Sequence, residues 1–279
     1  MRELMFSILV VSLNPGEKLV KTIQSAFNQT YEDYEIVVKD GGSKDDSLQR
    51  LEEFLAKNPK KAERVRVVEK PDCSIYEGMN QATTYAKGQY YYFLNCGDVF
   101  EKEQALERLA QGILQEQAKG NKALIYYGNI YDALRGQVVQ SNPKVDAFAC
   151  YRNLPCHQAC IYDYCLFLER GYETKYKVRG DYEHFLWAFF CKDAKPTYVD
   201  VVLASYEGGG YSETKENLIR SKEEHKEITK KYMSKGQILC YRGILLLKLA
   251  PLRTKMAENK RFAGIYQNCK KLLYKGSKK

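Results

Sequence analysis

The apolar positions of this chain fall first into short continuous runs and then into helical stripes. Phe6 to Leu13 (FSILVVSL) is a β-rich run closed by the turn signal Asn14-Pro15-Gly16. Leu19, Ile23 and Phe27 then recur at helical spacing, with polar Asn28-Gln29 behind them. Tyr34 to Lys39 is a second strand-like run, ended by Asp40-Gly41-Gly42. Ser43-Lys44-Asp45-Asp46 resembles a capping box opening a helix that carries Leu48, Leu51 and Leu55. Val65 to Val68 predicts a third strand. Ile75, Met79, Ala82 and Ala86 predict a helix ending at Gly88, and Tyr90 to Leu94 a fourth strand.

Alternating strands and helices over the first hundred residues predict an α/β fold with a mostly parallel sheet and helices on both faces. Such sheets bind ligands at the carboxyl ends of their strands. The loops after Leu13, Lys39, Glu69 and Leu94 are therefore the candidates, and each contains Asn or Asp.

A helix is expected from Glu103 to about Lys119, then a hairpin of Leu124–Asp132 and Gln137–Gln140 joined through Arg135-Gly136. The stretch from Cys156 to Tyr164 is mixed, Asp181 to Phe190 reads as helix and Thr197 to Tyr206 as strand. Gly208-Gly209-Gly210 is a flexible break. The pattern divides the chain into an α/β domain, 1–210, and a helical extension, 211–279, in which Pro251 separates two segments.

Charge sharpens that division. Residues 211–279 hold 18 Lys+Arg against 6 Asp+Glu, whereas the first 210 hold 26 against 29. A slightly acidic body with a basic tail does not fit a nucleic-acid binder, whose charge lies across its reading surface. It fits a domain held near an anionic surface, and equally a solvated or packed helical tail. Gln237 to Lys279 has 11 basic residues and one acid, Glu258, interleaved with apolar positions such as Ile244, Leu252, Phe262 and Leu273. That is a pattern of interfacial helices. No window holds 18 uncharged apolar residues, so no spanning helix is expected. The apolar N-terminus after Arg2 is short and has no small-residue cleavage site, so a buried strand fits better than a signal peptide.

The nine cysteines include no CxxC pair. Cys150, Cys156, Cys160 and Cys165 cluster around His157 without the paired knuckles of a structural zinc site, and reduced cytosolic thiols are expected.

Four loop carboxylates are candidates for chemistry. Asp40 ends a strand before two glycines, where it can project over the strand ends or simply cap the next helix. Asp72 reads alone as an N-terminal cap. Asp98, in Asn95-Cys96-Gly97-Asp98, could hold a divalent metal or close a plain turn. Asp181, before Tyr182-Glu183-His184, reads alone as a helix cap. GxGxxG, GxxxxGK[ST] and GxSxG are all absent, which removes the dinucleotide, nucleoside-triphosphate and hydrolase fingerprints.

Taken together, FSILVVSLN, QSAFNQTYEDYEIVVKDGGSKDDS and PDCSIYEGMNQATTYAKGQYYYFLNCGD form an ordered series. It closely resembles the family 2 glycosyltransferases of GT-A fold, in particular the bacterial branch that builds surface polysaccharides. The resemblance is specific from Phe6 to about Phe100 and weaker through PCHQACIY and GDYEHFLW. It implies a Rossmann-like nucleotide-binding half and an inverting, metal-dependent transfer of a hexosyl-type sugar from a nucleotide sugar, by family habit a UDP-sugar, to a lipid-linked saccharide. Asp40 and Asp72 would sit in the nucleoside pocket, with Ser12 and Asn14 as its wall. Asn80, Asn95 and Gly97 would join them around the donor. Asp98 would bind Mn²⁺ or Mg²⁺, and Asp181 would be the general base. His157 and Gln158 would shape the donor or acceptor site. Two positions depart from the family pattern: Asn95 stands where the first metal-site acid is expected, and Gly180 where an acid precedes Asp181. The same resemblance, with the basic tail, implies a cytoplasmic protein peripheral to the inner face of the plasma membrane and no nucleic-acid partner.

Two other readings fit the same residues less well. A nucleotidyltransferase would want a glycine-rich basic loop after the first strand, and SLNPGEK is a poor one. A non-catalytic, membrane-associated glycan- or nucleotide-binding protein on a degenerate transferase fold would account for Asn95.

Overall fold

The computed structural model describes residues 4–152, 154–208 and 214–247. The expectations for Pro251 and for most of the basic tail lie outside these residues.

In chain order the elements are β1 (Leu4–Ser12), α1 (Lys18–Phe27), β2 (Tyr34–Asp40), α2 (Ser47–Ala56), α3 (Pro59–Ala62), β3 (Val65–Glu69), α4 (Ile75–Thr83), β4 (Gly88–Phe93), β5 (Val99–Phe100) and α5 (Ala105–Ala118). There follow β6 (Ile125–Asp132), β7 (Gln137–Val139), α6 (Ala147–Arg152), a 3₁₀ turn (His157–Ala159), β8 (Cys160–Asp163), α7 (Tyr164–Glu169), α8 (Gly180–Cys191), β9 (Thr197–Tyr206), α9 (Lys215–Tyr232) and α10 (Lys235–Leu247).

They form one sheet of order β3-β2-β1-β4-β8-β6-β9-β5, with β7 hairpinned onto β6. The first four strands are parallel, and β1, β2 and β4 are apolar runs covered by helices on both faces, whereas β3 is the half-exposed edge. Side chains alternate between two cores. Phe6, Ile8, Val10, Tyr90 and Tyr92 face α1 and α5, whereas Leu9, Val37, Tyr91 and Phe93 face α4, α7 and α8. In the register Ser12 lies beside Asp40 and Asp40 beside Glu69, so the candidate loops leave the sheet at one edge. The second half is mixed: β8 is antiparallel to both β4 and β6, and β9 is parallel to β6.

Three local expectations shift. Helix α4 ends at Thr83, and Gly88 instead opens β4. A Cβ there would stand 2.5 Å from the Phe6 carbonyl carbon and the Ser7 nitrogen, so only glycine lets β4 close onto β1. The predicted capping box does not form, because Ser43 turns back to Asp40, its hydroxyl donating to Oδ1 at 2.5 Å. Asp45 takes over, accepting from the Ser47 hydroxyl at 2.5 Å where α2 begins. Among the described residues no helix is long and apolar enough to cross a membrane.

Gly88→Ala is expected to lower stability by about 1–3 kcal/mol, since backbone rather than a flexible side chain must move. The midpoint of denaturant unfolding measures this; an unchanged midpoint would mean that β4 can retreat from β1 without loss.

Candidate active site

A cavity of about 590 Å³ opens at the carboxyl ends of the strands, walled by Val11, Ile75, Tyr76 and Met79 on one side and by Ile130, Asp132, Arg135 and Val139 on the other. Asn95, Asp98, His157, Gln158 and Asp181 all line it. The structure thus brings together side chains from the β4 loop, the 3₁₀ turn and the start of α8.

Asp98 is 4% exposed and bonded through both oxygens. Oδ2 accepts from the Gln158 amide at 2.9 Å and Oδ1 from the Glu207 backbone N–H at 3.0 Å. Its own carbonyl accepts from the Thr22 hydroxyl at 2.8 Å, and that hydroxyl accepts from the Gly97 N–H at 3.0 Å. Burial pushes the Asp98 carboxyl up to about 6, against these hydrogen bonds, because little solvent remains to stabilise its charge. Lys18 stands nearby, ion-paired to Glu207 at 2.6 Å across the cavity rim.

Asp181 is the second residue of α8 and about a third exposed. The Tyr76 hydroxyl donates to its Oδ1 at 2.8 Å and also reaches the Val178 carbonyl at 2.8 Å. His157 Nδ1 lies 3.8 Å from Asp181 Oδ2. Both ring nitrogens of His157 are buried and have no hydrogen-bond partner among the described residues. Burial pulls its pKa below the ordinary value, and the Asp181 charge opposes that, so the ring is a neutral imidazole at pH 7 with one donor and one acceptor to offer. Gly180 has a steric cause: a Cβ there would come 2.8 Å from the Tyr76 ring.

The remaining predicted residues lie beside the cavity, not in its wall. Asp40 is fully buried and accepts from Ser12 Oγ (3.1 Å), Gly42 N (2.8 Å), Ser43 N (2.6 Å) and Ser43 Oγ (2.5 Å). Asn14, in a left-handed conformation at φ 47°, ties the same loops, donating to Ser43 Oγ at 2.7 Å and accepting from Lys44 N at 2.8 Å. Asp72 is ion-paired with the buried Lys39 and packs so close to Gly41 and Gly78 that a Cβ at either would meet it. Asn80 clamps a distant loop, accepting from Tyr172 N at 2.7 Å and donating to Tyr172 O at 2.9 Å. Gly97, at φ 105°, turns the β4 loop back toward Glu207.

Sequence reasoning missed Lys39, Thr22, Glu207 and the orienting role of Tyr76. Tyr76 stood within the IYEGMN motif, whereas the other three carry no local signal. All eight described cysteines are free. Among the described residues no group of three or more His, Cys, Asp or Glu is placed to hold a metal by itself. The donor set fits a hard cation taking one protein carboxylate and completing its shell with substrate oxygens and water, as Mg²⁺ commonly does.

The cavity lies at the carboxyl ends of an α/β sheet, where such sheets bind ligands, and its wall holds buried Asp98 and the more open Asp181. Residues 7–176 match the family described as Glycosyl transferase family 2, and the chain belongs to that family. It is a glycosyltransferase of GT-A-type fold. A PGL/p-HBAD biosynthesis glycosyltransferase of Mycobacterium bovis is 31% identical over 212 residues, 75% of this chain and 80% of that protein. Two solved structures share the fold. S. aureus TarS 1–349 in complex with UDP-GlcNAc has TM-score 0.61 and 19% identity over 76% of this chain, which spans only 61% of that one. The mannosyltransferase PcManGT from Pyrobaculum calidifontis in complex with GDP-Man and Mn²⁺ has TM-score 0.63 and 13% identity, over 97% of this chain and 82% of its own.

Asp98 yields a pH prediction for chelator-treated protein. Its folded-state carboxyl holds a proton more tightly than the ordinary value of 3.8, so wild type loses stability relative to Asp98→Asn as pH rises from 3.8 to about 6, with no further change above that window. Denaturant unfolding at about pH 4 and about pH 8 should show the gap widening by about 1–3 kcal/mol in favour of the variant. A gap independent of pH would place the carboxyl at its ordinary pKa.

Proposed function

We propose that the chain is an inverting, metal-assisted transferase that moves a sugar from a nucleotide sugar, a UDP-sugar, to a lipid-linked saccharide in surface-polysaccharide assembly. The observation that carries this reading is that Asp98 and Asp181 enter one cavity from different ends of the fold, one buried and hydrogen-bonded, the other held open by Tyr76.

In this reading Asp181 takes the proton from the acceptor hydroxyl as that oxygen attacks the anomeric carbon from the face opposite the departing diphosphate. One displacement inverts the centre and needs no covalent enzyme intermediate. Tyr76 donates to one carboxylate oxygen and leaves the other toward the cavity, which fixes the direction of proton transfer. Asp98 would hold a divalent cation, which when bound would neutralise charge developing on the leaving diphosphate. Lys18 adds a positive charge at the same rim. Asn95 and Gly97 shape the loop under the diphosphate. His157 and Gln158 bound the sugar, His157 with two nitrogens unpartnered among the described residues and Gln158 by holding Asp98. Asp40, Ser12 and Asn14 order the loop that receives the nucleoside, and Asp72 with Lys39 offers an acceptor and a donor beside it. Asn80 supports this end by pinning Tyr172, whose ring packs on Tyr76.

The acceptor and the location follow from the tail: its excess of Lys and Arg suits the anionic inner face of the plasma membrane, where lipid-linked saccharides reside. The free thiols of the described residues agree with a cytoplasmic setting. Divalent-metal use is consistent with the Mn²⁺ complex of the mannosyltransferase neighbour.

Thermal unfolding with UDP, GDP, CMP and dTDP, each with and without Mn²⁺, tests the donor and metal together. A nucleotide at about 100 times its dissociation constant adds about 2.7 kcal/mol. UDP with Mn²⁺ should give the largest shift, and Asp98→Ala should lose its metal-dependent part. Equal shifts with and without metal would remove the metal from the proposal, and no shift with any nucleotide would remove the donor class.

Asp181→Asn should keep the wild-type nucleotide shift yet slow nucleotide release from a nucleotide sugar by about 100- to 10,000-fold. Full turnover in that variant would exclude the base role.

A further inference from the structure

The segment that presents Asp181 is held from outside the family match. Helix α8 starts at Gly180, and its N-cap residue, Arg179, provides no side-chain cap. The backbone N–H groups just before and at that cap need an acceptor from elsewhere. One buried carboxylate supplies all of it: Glu224 on α9 accepts from Lys177 N at 2.8 Å through Oε1, and from Val178 N at 3.1 Å and Arg179 N at 2.8 Å through Oε2. The same face of α9 adds two ties. Arg179 Nε donates to both the carbonyl and the hydroxyl oxygen of Ser221 at 2.8 Å, and the Tyr176 hydroxyl donates to Glu227 Oε1 at 2.9 Å. Residues 221, 224 and 227 are spaced to share a helix face. The family match ends at residue 176, so this support lies beyond it.

We infer that Glu224 is a positioning residue for Asp181, and through it that α9 is part of the catalytic apparatus. The inference rests on the reading of Asp181 as general base. Three hydrogen bonds to an ionised acceptor are the strong kind, and they fix three consecutive peptide planes. Asp181 follows the last of them by two residues, and Lys177 and Val178 are themselves cavity wall. Tyr76 then has a fixed target for its hydroxyl, because it contacts Val178 O and Asp181 Oδ1 at once. Without Glu224, three N–H groups at the helix start lose their acceptor, and the loop must move to find others. Displacement of a reacting group by about an ångström costs up to about a hundredfold in rate.

The test uses the full chain and Glu224→Gln, which keeps size and burial but replaces one accepting oxygen with a donor. The wild type is first matched to whichever of UDP-glucose, UDP-galactose, UDP-N-acetylglucosamine and GDP-mannose it hydrolyses fastest, read as free nucleotide. With that donor, Glu224→Gln should lower kcat by about 10- to 100-fold while nucleotide affinity stays within about twofold. In an Asp181→Asn background the same substitution should cost nothing further, since its effect passes through Asp181. Glu53→Gln, an exposed acid on α2 whose side chain is bonded only to Gln49 among the described residues, should remain near wild type. If Glu224→Gln does not fold, Glu224→Asp keeps the charge, falls short of the N–H groups and is measured in its place. The inference is overturned if kcat is unchanged, if the loss follows nucleotide affinity, or if the full loss persists beside Asp181→Asn. An Asp181→Asn protein with wild-type kcat overturns the base reading and this inference together. An inactive Asp181→Asn beside a fully active Glu224→Gln overturns this inference alone.

Discussion

A carboxylate kept out of water at the end of β4 organises the site. Asp98 has too little solvent around it to be charged at no cost, so the chain must supply partners, and it draws them from three places. Gln158 comes from the turn before β8, Glu207 from the end of β9, and the Thr22 hydroxyl from α1 holds the Asp98 backbone. Each tie joins the β4 loop to another part of the fold. The Tyr92 hydroxyl strengthens the set by donating to the Gln158 carbonyl at 2.9 Å, so the strand that carries Asp98 also fixes the residue that binds it. The donors bonded to the carboxylate are both neutral, and the nearby cation, Lys18, is paired with Glu207.

What was legible in the sequence follows from how local each signal is. Strands β1, β2 and β4 are buried on both faces, and continuous apolar runs betray that without any partner. The place of Asp98 in the cavity wall follows from the buried strand before it, whereas Asp181 lies in the first turn of a helix and had no such strand to mark it. The antiparallel entry of β8 between β4 and β6 was not legible. Its four residues follow a turn of mixed polarity, too short to show a period, and its place depends on long-range pairing. Charged positions within β2 were equally opaque. No local signal gives the partners of Glu35 and Lys39: Glu35 is buried against the Ser7 hydroxyl (2.6 Å) and the Lys87 N–H, and Lys39 against Asp72. Nothing near residue 39 indicates that its partner lies at 72. Asn80 fails for the same reason, since its clamp on Tyr172 spans 92 residues.

Distance along the chain also separates the two halves of the chemistry. The donor-side loops are short, close in sequence and ordered by their own backbone, as the bonds of Asp40 to Gly42 and Ser43 show. The segment bearing Asp181 lacks such local closure. It depends on Tyr76 from α4 on one side and on α9 on the other, and Arg170, Lys231 and Tyr232 converge on buried Glu183 two residues further into α8. A charge buried in that way is strongly destabilising when a partner is removed, so the contact between α8 and α9 is stringent as well as extensive.

The two departures from the family pattern have separate consequences. Gly180 makes room for Tyr76, and Asn95 leaves the β4 loop with Asp98 as its acid. The cavity wall consequently holds four carboxylates, Asp98, Asp132, Asp181 and Glu207, against three cations, Lys18, Arg135 and Lys177. An acid at position 95 would set five against three, a field less favourable to an incoming diphosphate, whereas an acid at position 180 would meet the Tyr76 ring and lie outside the wall. With the charges near balance, and with Arg135 and Lys18 already paired to Asp132 and Glu207, a diphosphate can be met partly by protein cations that exchange partners. Position 95 is thereby neutral in a wall that keeps Asp98 and Asp181 and holds its two other acids in ion pairs with Arg135 and Lys18.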